Sequence, residues 1–281
     1  MDPEPGGRSK SALTLKAVIL TAVFCSLYFF QPSRQNVVFS PPKLPGETPP
    51  IAKLAQAAVK KKKKKIYLTF DDGPNKGTRN LRRIIEEEQV PVTLFLIGEH
   101  VYGSRYQEAE YDSLLACRYF YLANHSFTHA RGKGYEGFYA VPDSVVADFR
   151  RCADSLKLTA NIVRTPGRNI WRTDSLKITD IRLSEPAADS LFNQGYKVLG
   201  WDVEWHFDAR GLVQDPCSMI EAIDSLMTGN KTRTPGHLVL LAHDQAFSGR
   251  QDSASLHRFI SELKMYSDYE MVTAEEYPNL D

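Results

Sequence analysis

From residue 66 onward, short apolar runs alternate with amphipathic stretches, and this alternation restricts the fold more than any other feature of the sequence. Strands are predicted at 66–70, 92–97, 119–123, 162–164, 196–201, 237–242 and 271–274. Helices are predicted over about 78–88, 106–116, 142–156, 216–227 and 253–265. A further helix opens on Ser184, Glu185 and Pro186, an N-cap and first turn, and stops at Gly195. Strands alternating with helices give an α/β protein with a mostly parallel sheet covered by helices. Seven strands suit a distorted (β/α)7-type barrel, closed or nearly so. An open doubly wound sheet is the alternative, but no G-x-G-x-x-G follows any strand.

Charge divides the chain at the same place. Residues 1–65 carry twelve basic and three acidic side chains, a balance of +9, and residues 66–281 carry 23 basic against 31 acidic, a balance of −8. The acidic part argues against nucleic acid as a partner, because phosphate binding needs a basic face. Three segments are therefore expected: 1–30, 31–65 and a single globular domain over 66–281.

Residues 17–30 form an uncharged, mostly apolar run preceded by Arg8, Lys10 and Lys16. This reads as a secretory signal or an uncleaved signal anchor that leaves the N-terminus in the cytoplasm. Fourteen residues are short of the ~20 that span a bilayer, but counting from Ala12, with Lys16 snorkelling, reaches nineteen. No clear A-x-A cleavage site follows the run. The expectation is a domain held at the membrane outside the cytoplasm, or a secreted one if the segment is cleaved. Six prolines between Pro32 and Pro50 make a semi-rigid spacer, and Lys60 to Lys65 form a solvated basic brush or an adhesion to an anionic surface. Cys117, Cys152 and Cys217 permit at most one bridge; Cys117–Cys152 and buried free thiols are both open.

In α/β barrels chemistry collects where strands end. Asp71 and Asp72 follow the first strand, His125 and His129 the third, Arg164 ends the fourth, Trp201 and Asp202 close the fifth, and His243 and Asp244 the sixth. His125 and His129 stand at i and i+4, which on a helical turn would share one face and could bind one metal ion. A carboxylate from the Asp71-Asp72 pair would complete the site and leave the other as a base. Ordinary turn chemistry is the competing reading of Asp-Asp-Gly-Pro.

T-F-D-D-G-P at 69–74, with H-S-F-T-H at 125–129, resembles the polysaccharide deacetylase family, the NodB-homology or family-4 carbohydrate esterases. L-L-A-H-D at 240–244 and R-T-P-G-R at 164–168 resemble its later motifs, and the resemblance spans roughly 66–275. It implies that Asp72, His125 and His129 hold one divalent cation, usually Zn2+ and sometimes Co2+ or Ni2+. It implies that Asp71 is the general base, Arg164 its partner, His243 the general acid, and Leu241 the wall of the acetyl pocket. The implied substrate is a polysaccharide, with peptidoglycan or another GlcNAc-containing glycan of the cell wall first. An O-acetylated polymer, or glycan binding without turnover, is the alternative.

Two departures from the family pattern bear on the substrate. The family's Arg-x-Pro-Tyr-Gly reads Arg164-Thr165-Pro166-Gly167-Arg168, so the Tyr is missing, while a backbone N–H for an oxyanion remains at Gly167. Arg168 is a candidate for an anionic group of the substrate, or for a salt bridge. The Asp-x-x-Asp-Trp motif is replaced by W-D-V-E-W-H-F-D at 201–208, so Asp202, Glu204 and Asp208 are rival partners for His243. Trp201 and Trp205 are candidates for stacking on sugar faces, with core packing the competing role.

Overall fold

The computed structural model describes residues 62–280. The apolar run at 17–30, the proline-rich spacer, and Lys60 and Lys61 lie outside the described residues. No helix among the described residues is long and apolar enough to cross a membrane.

The strands are β1 (Lys64–Gly73), β2 (Val92–Leu96), β3 (Phe120–Asn124), β4 (Ile162–Val163), β5 (Trp171–Arg172) and β6 (Lys177–Ile178), then β7 (Lys197–Val198), β8 (Val203–Glu204), β9 (Phe207–Asp208), β10 (Gly211–Leu212), β11 (His237–His243) and β12 (Tyr269–Val272). The helices are α1 (Thr78–Glu88), α2 (Gly98–Val101), α3 (Arg105–Ala116), α4 (His129–Lys133), α5 (Tyr135–Tyr139), α6 (Pro142–Leu156), α7 (Glu185–Asn193), α8 (Pro216–Thr228) and α9 (Arg250–Leu263).

One sheet runs β6-β5-β7-β4-β3-β2-β1-β11-β8 and curls into a half-barrel, with β12 paired beside the start of β1. Its centre is parallel from β7 to β8, and β5 and β6 join one edge antiparallel. This is the (β/α)7-type architecture, its two edge strands β6 and β8 not paired with each other.

Side chains alternate across a strand. On β1, Ile66, Leu68 and Phe70 therefore face the helices, where they pack with residues of α1, α8 and α9. Tyr67 faces the inside of the curl with Phe95, Trp171, Leu199 and Val239. Thr69 and Asp71 share Tyr67's parity, and both meet Arg164 inside. A second helix-side core joins α5, α6 and α7 to β4 and β7.

The first strand reaches further than its apolar residues suggest, because Thr69, Asp71 and Asp72 are buried with it. The strand predicted at 196–201 shrinks to two residues. It ends at Val198, two residues before Gly200, where a Cβ would stand 2.2 Å from Asn169 Oδ1 and 2.4 Å from Trp171 Nε1. Cys117 and Cys152 are separate buried thiols, so they form no bridge, and Cys217 is exposed.

Candidate active site

The parallel register sets Asp71 of β1 directly beside His243 of β11. Alternation alone would send Asp72 to the opposite face. A bulge between Asp71 and Gly73, with Asp72 at φ +76°, turns both carboxylates toward the same mouth. The turn is fixed from several sides. Ile97 N–H donates to the Gly73 carbonyl at 3.0 Å, and His100 Nδ1 lies 2.8 Å from the Asp72 carbonyl. Gln107 Nε2 donates to the Pro74 carbonyl at 2.9 Å. Asp244, wholly buried, accepts from Asn75 Nδ2 and Thr78 Oγ1 and so ties the end of β11 to the start of α1. Burial first, and then Asp72 nearby, push the Asp244 carboxyl up to about 7.

His125 follows β3. The i, i+4 spacing suggested a helical turn, and the structure replaces it with a loop, because Ser126 adopts φ +68°. Asn124 Oδ1 accepts from Ser126 N–H, and Asp148 Oδ2, from α6, accepts from the N–H groups of Phe127 and Thr128, all at 2.9–3.0 Å. This scaffold brings the two imidazole centroids to 5.2 Å.

Asp72, His125 and His129 offer ligand atoms that all lie within 4.8 Å of one another. Asp72 Oδ1 stands 3.5 Å from His125 Nε2 and 3.3 Å from His129 Nε2, and it is a buried oxygen with no hydrogen-bond partner. His125 Nδ1 rests on the Arg164 carbonyl at 2.9 Å, which leaves Nε2 aimed at the carboxylates. Burial and the neighbouring His125 push His129 down to about 4, so its lone pair is available. Burial opposes charge on His125, yet Asp71 and Asp72 raise it above its ordinary value. The Asp72 carboxyl, against its own burial, is held well below the usual range by His125, His243 and His129. Two buried carboxylates beside two imidazoles form a donor set that a divalent cation fits.

Arg164, fully buried, holds Asp71 in place. Its Nη1 donates to Asp71 Oδ1 at 2.9 Å and to Thr69 Oγ1 at 2.7 Å. Nε and Nη2 each donate at 3.0 Å to the carbonyls of Leu199 and Gly200, and the guanidinium lies over the Phe95 ring at 4.3 Å.

These groups open into a cavity of about 350 Å³ lined by Asp71, Asp72, His125, His129, Tyr135, Gly167, Trp201, Glu204, Phe207, Leu241, His243 and Gln245. Gly167 takes φ +63°, and its N–H donates to no protein acceptor among the described residues. Arg168 stands beside the cavity over the Tyr135 ring, 5.5 Å from its centroid, and among the described residues it makes no ion pair, which removes the salt-bridge reading.

Three expectations change. Trp205 is wholly buried, donates its indole N–H to the Gln214 carbonyl at 2.8 Å and packs on Phe259 at 4.8 Å. Alternation along β8 sends Val203 and Trp205 to the helix side and Glu204 to the cavity, so Trp205 is core and only Trp201 is open to a sugar. Asp202 accepts from the N–H groups of Arg233 and Val239, four residues and roughly 13 Å back along β11 from His243. Asp208 is exposed and paired with Arg210 at 2.8 Å. Neither holds His243. Glu204 is the one rival that lines the cavity, where it meets His206 Nδ1 at 3.3 Å, and His243 Nδ1 is buried without a partner.

The two tryptophans are thereby separable. Trp205→Ala is expected to cost about 3–5 kcal/mol of stability. Trp201→Ala is expected to leave the denaturation midpoint near its original value and to raise KM for a glycan substrate several-fold. Denaturant titration and steady-state kinetics read the two effects.

Tyr135 and His100 are not singled out by the sequence as parts of this site, and Asp244, placed there with His243 at the end of the sixth strand, is given no role. Each reaches it through a contact between distant segments, and none sits in a periodic pattern.

A family model described as polysaccharide deacetylase matches residues 58–170. The chain is 26% identical over 222 residues to a peptidoglycan-N-acetylglucosamine deacetylase of Bacillus cereus, covering 71% of this chain and 73% of that one. It is 26% identical over 216 residues to a bifunctional xylanase/deacetylase of Pseudobutyrivibrio xylanivorans, where 76% of this chain matches only 30% of the relative. Among solved structures, a family-4 carbohydrate esterase of Streptococcus mutans superposes with a TM-score of 0.57 at 21% identity, over 76% of this chain and 87% of the other. The catalytic domain of a peptidoglycan N-acetylglucosamine deacetylase from Eubacterium rectale gives 0.55 at 20%, over 78% and 93%. A family-4 pseudoenzyme of Bacillus anthracis gives 0.53 at 16%, over 79% and 66%. At these identities the superpositions speak for the fold alone.

Proposed function

We propose that this chain, which belongs to the polysaccharide deacetylase family, is a metal-dependent hydrolase that removes N-acetyl groups from an extracytoplasmic polysaccharide. The observation that carries the reading is the convergence of Asp72, His125 and His129, a donor set that a cation fits, in one cavity with an Arg164-held Asp71 and with His243. Peptidoglycan or another GlcNAc-containing glycan is the substrate class, supported by the activities named for the relatives.

A divalent cation on the triad, most simply Zn2+, would lower the pKa of water toward ~7 and polarise the amide carbonyl. Asp71, fixed by Arg164, takes a proton as water adds to the acetyl carbon and the C=O electron pair moves onto oxygen. The uncommitted Gly167 N–H is placed to donate to that oxygen. When C=O re-forms and the C–N bond breaks, His243 gives its proton to the leaving nitrogen, so acetate and a free amine result. Leu241 packs against the acetyl methyl, Trp201 stacks on the sugar, and Arg168 is free for an anionic substituent. Residues 17–30 hold the domain at the membrane or direct its export, and the spacer sets it off the surface.

In the metal-free protein, a proton on His125 occupies the place a cation needs. Because His125 sits above its ordinary value, zinc affinity is expected to fall on acidification by about tenfold per pH unit for each proton displaced, and to level off once His125 is neutral. Calorimetry in buffers of different ionisation heat reads the released proton, and an affinity constant over about pH 5–8 would contradict this.

Function is tested by acetate release from chitooligosaccharides, peptidoglycan and an O-acetylated xylan. Release from the first two supports N-deacetylation, and release from the xylan alone makes the chain an O-acetyl esterase. Glycan binding without release on any of the three makes it a pseudoenzyme of the same fold.

A further inference from the structure

Beyond the triad, base and acid, the cavity contains a hydroxyl without a task. Tyr135 opens α5, lines the cavity and is only partly buried. Its ring meets His129 edge-on, with centroids 6.1 Å apart, and carries the Arg168 guanidinium on its face. Its Oη makes no hydrogen bond to any protein group among the described residues.

The ring also stands where residue 167 has no side chain. A Cβ on Gly167 would lie 2.6 Å from Tyr135 Cζ and 3.0 Å from Tyr135 Oη, so the two residues are sterically complementary. The positive φ of Gly167 and the crowding ring both demand glycine there. The hydroxyl is thus brought over the backbone of Gly167, beside an N–H that is likewise unspent. Two uncommitted donors meet in the cavity that Asp71, Asp72, His125 and His129 also line.

We infer that the Tyr135 hydroxyl is a second hydrogen-bond donor, beside Gly167 N–H, to the carbonyl oxygen that becomes negative as water adds to the acetyl carbon. This rests on the deacetylase reading. No group is consumed: Tyr135 keeps its proton throughout and donates a bond that strengthens as charge grows on oxygen, the condition for rate acceleration rather than tighter substrate binding.

Tyr135→Phe retains the ring that packs on Gly167 and removes only the donor. In the zinc-loaded full-length protein it is expected to lower kcat by about a hundredfold and to change KM by less than about threefold. Methylphosphonate, a small tetrahedral anion, supplies a readout that needs no turnover. By calorimetry it is expected to bind the zinc-loaded parent protein about tenfold or more tightly than the Phe variant. Equal affinity for the two proteins, or no binding to the parent, overturns the role of Tyr135, as does an unchanged kcat in the Phe variant of an active enzyme. Tyr135-dependent methylphosphonate binding by a protein that frees no acetate leaves the donor in place and overturns the deacetylase reading instead.

Discussion

Asp71→Asn is expected to lower kcat by about 10³-fold and to leave one cation bound per chain. The amide matches the carboxylate in size and still accepts from Arg164 Nη1 through its oxygen, so the buried network is nearly preserved. What is lost is the ability to take a proton from water. The proposed cation ligands are untouched: Asp72 Oδ1, His125 Nε2 and His129 Nε2 face one another, while Asp71 Oδ2 stands at 3.6 Å from His125 Nε2 and its other oxygen is committed to Arg164. Metal content and acetate release, measured on the same preparation, separate the two roles. A variant that loses both would make Asp71 a ligand, and one that keeps its rate would place the base elsewhere.

Arg164→Met is expected to have the largest effect on stability. The guanidinium is wholly buried and makes four hydrogen bonds, to Asp71, Thr69 and the carbonyls of Leu199 and Gly200. A thioether of similar length restores none of them and leaves a buried carboxylate without its partner. Removing one member of a buried pair costs about 3–5 kcal/mol, much more than the pair contributes over an apolar replacement. Denaturant midpoints read the loss, and turnover should fall with it because Asp71 is no longer held in place. The change also distinguishes a positioning role from simple packing: Arg164→Lys restores a charge beside Asp71 but cannot reach both carbonyls, so it should recover stability only in part.

How much of this was legible in the sequence depends on the range of the interaction. Helices α1, α6 and α8 carry amphipathic periods, the strands β1, β2 and β11 carry apolar runs, and each lies near its predicted place. Two-residue strands such as β5 and β8 carry no readable period, which is why Trp205 was open to a sugar-binding role before its burial was seen. The His125–His129 spacing suggested a shared face, but a positive φ at Ser126 is a property of the folded loop and is not encoded in the spacing. The bulge at Asp72 is similar, since nothing in Asp-Asp-Gly-Pro announces that both carboxylates turn inward. Tyr135 and Asp244 belong to pairs of segments distant in sequence. Only the fold reveals that one covers Gly167 and the other latches the turn that carries Asp72.

The central claim, that the Asp72-His125-His129 triad holds the cation on which hydrolysis depends, is tested most directly by titrating zinc into the metal-depleted full-length protein while measuring acetate released from N-acetylglucosamine oligomers. Release is expected to rise linearly and to saturate at one zinc per chain, and to stay near zero in His125→Ala at every ratio. Acetate release that is undiminished by metal depletion, or that persists in His125→Ala, would contradict it.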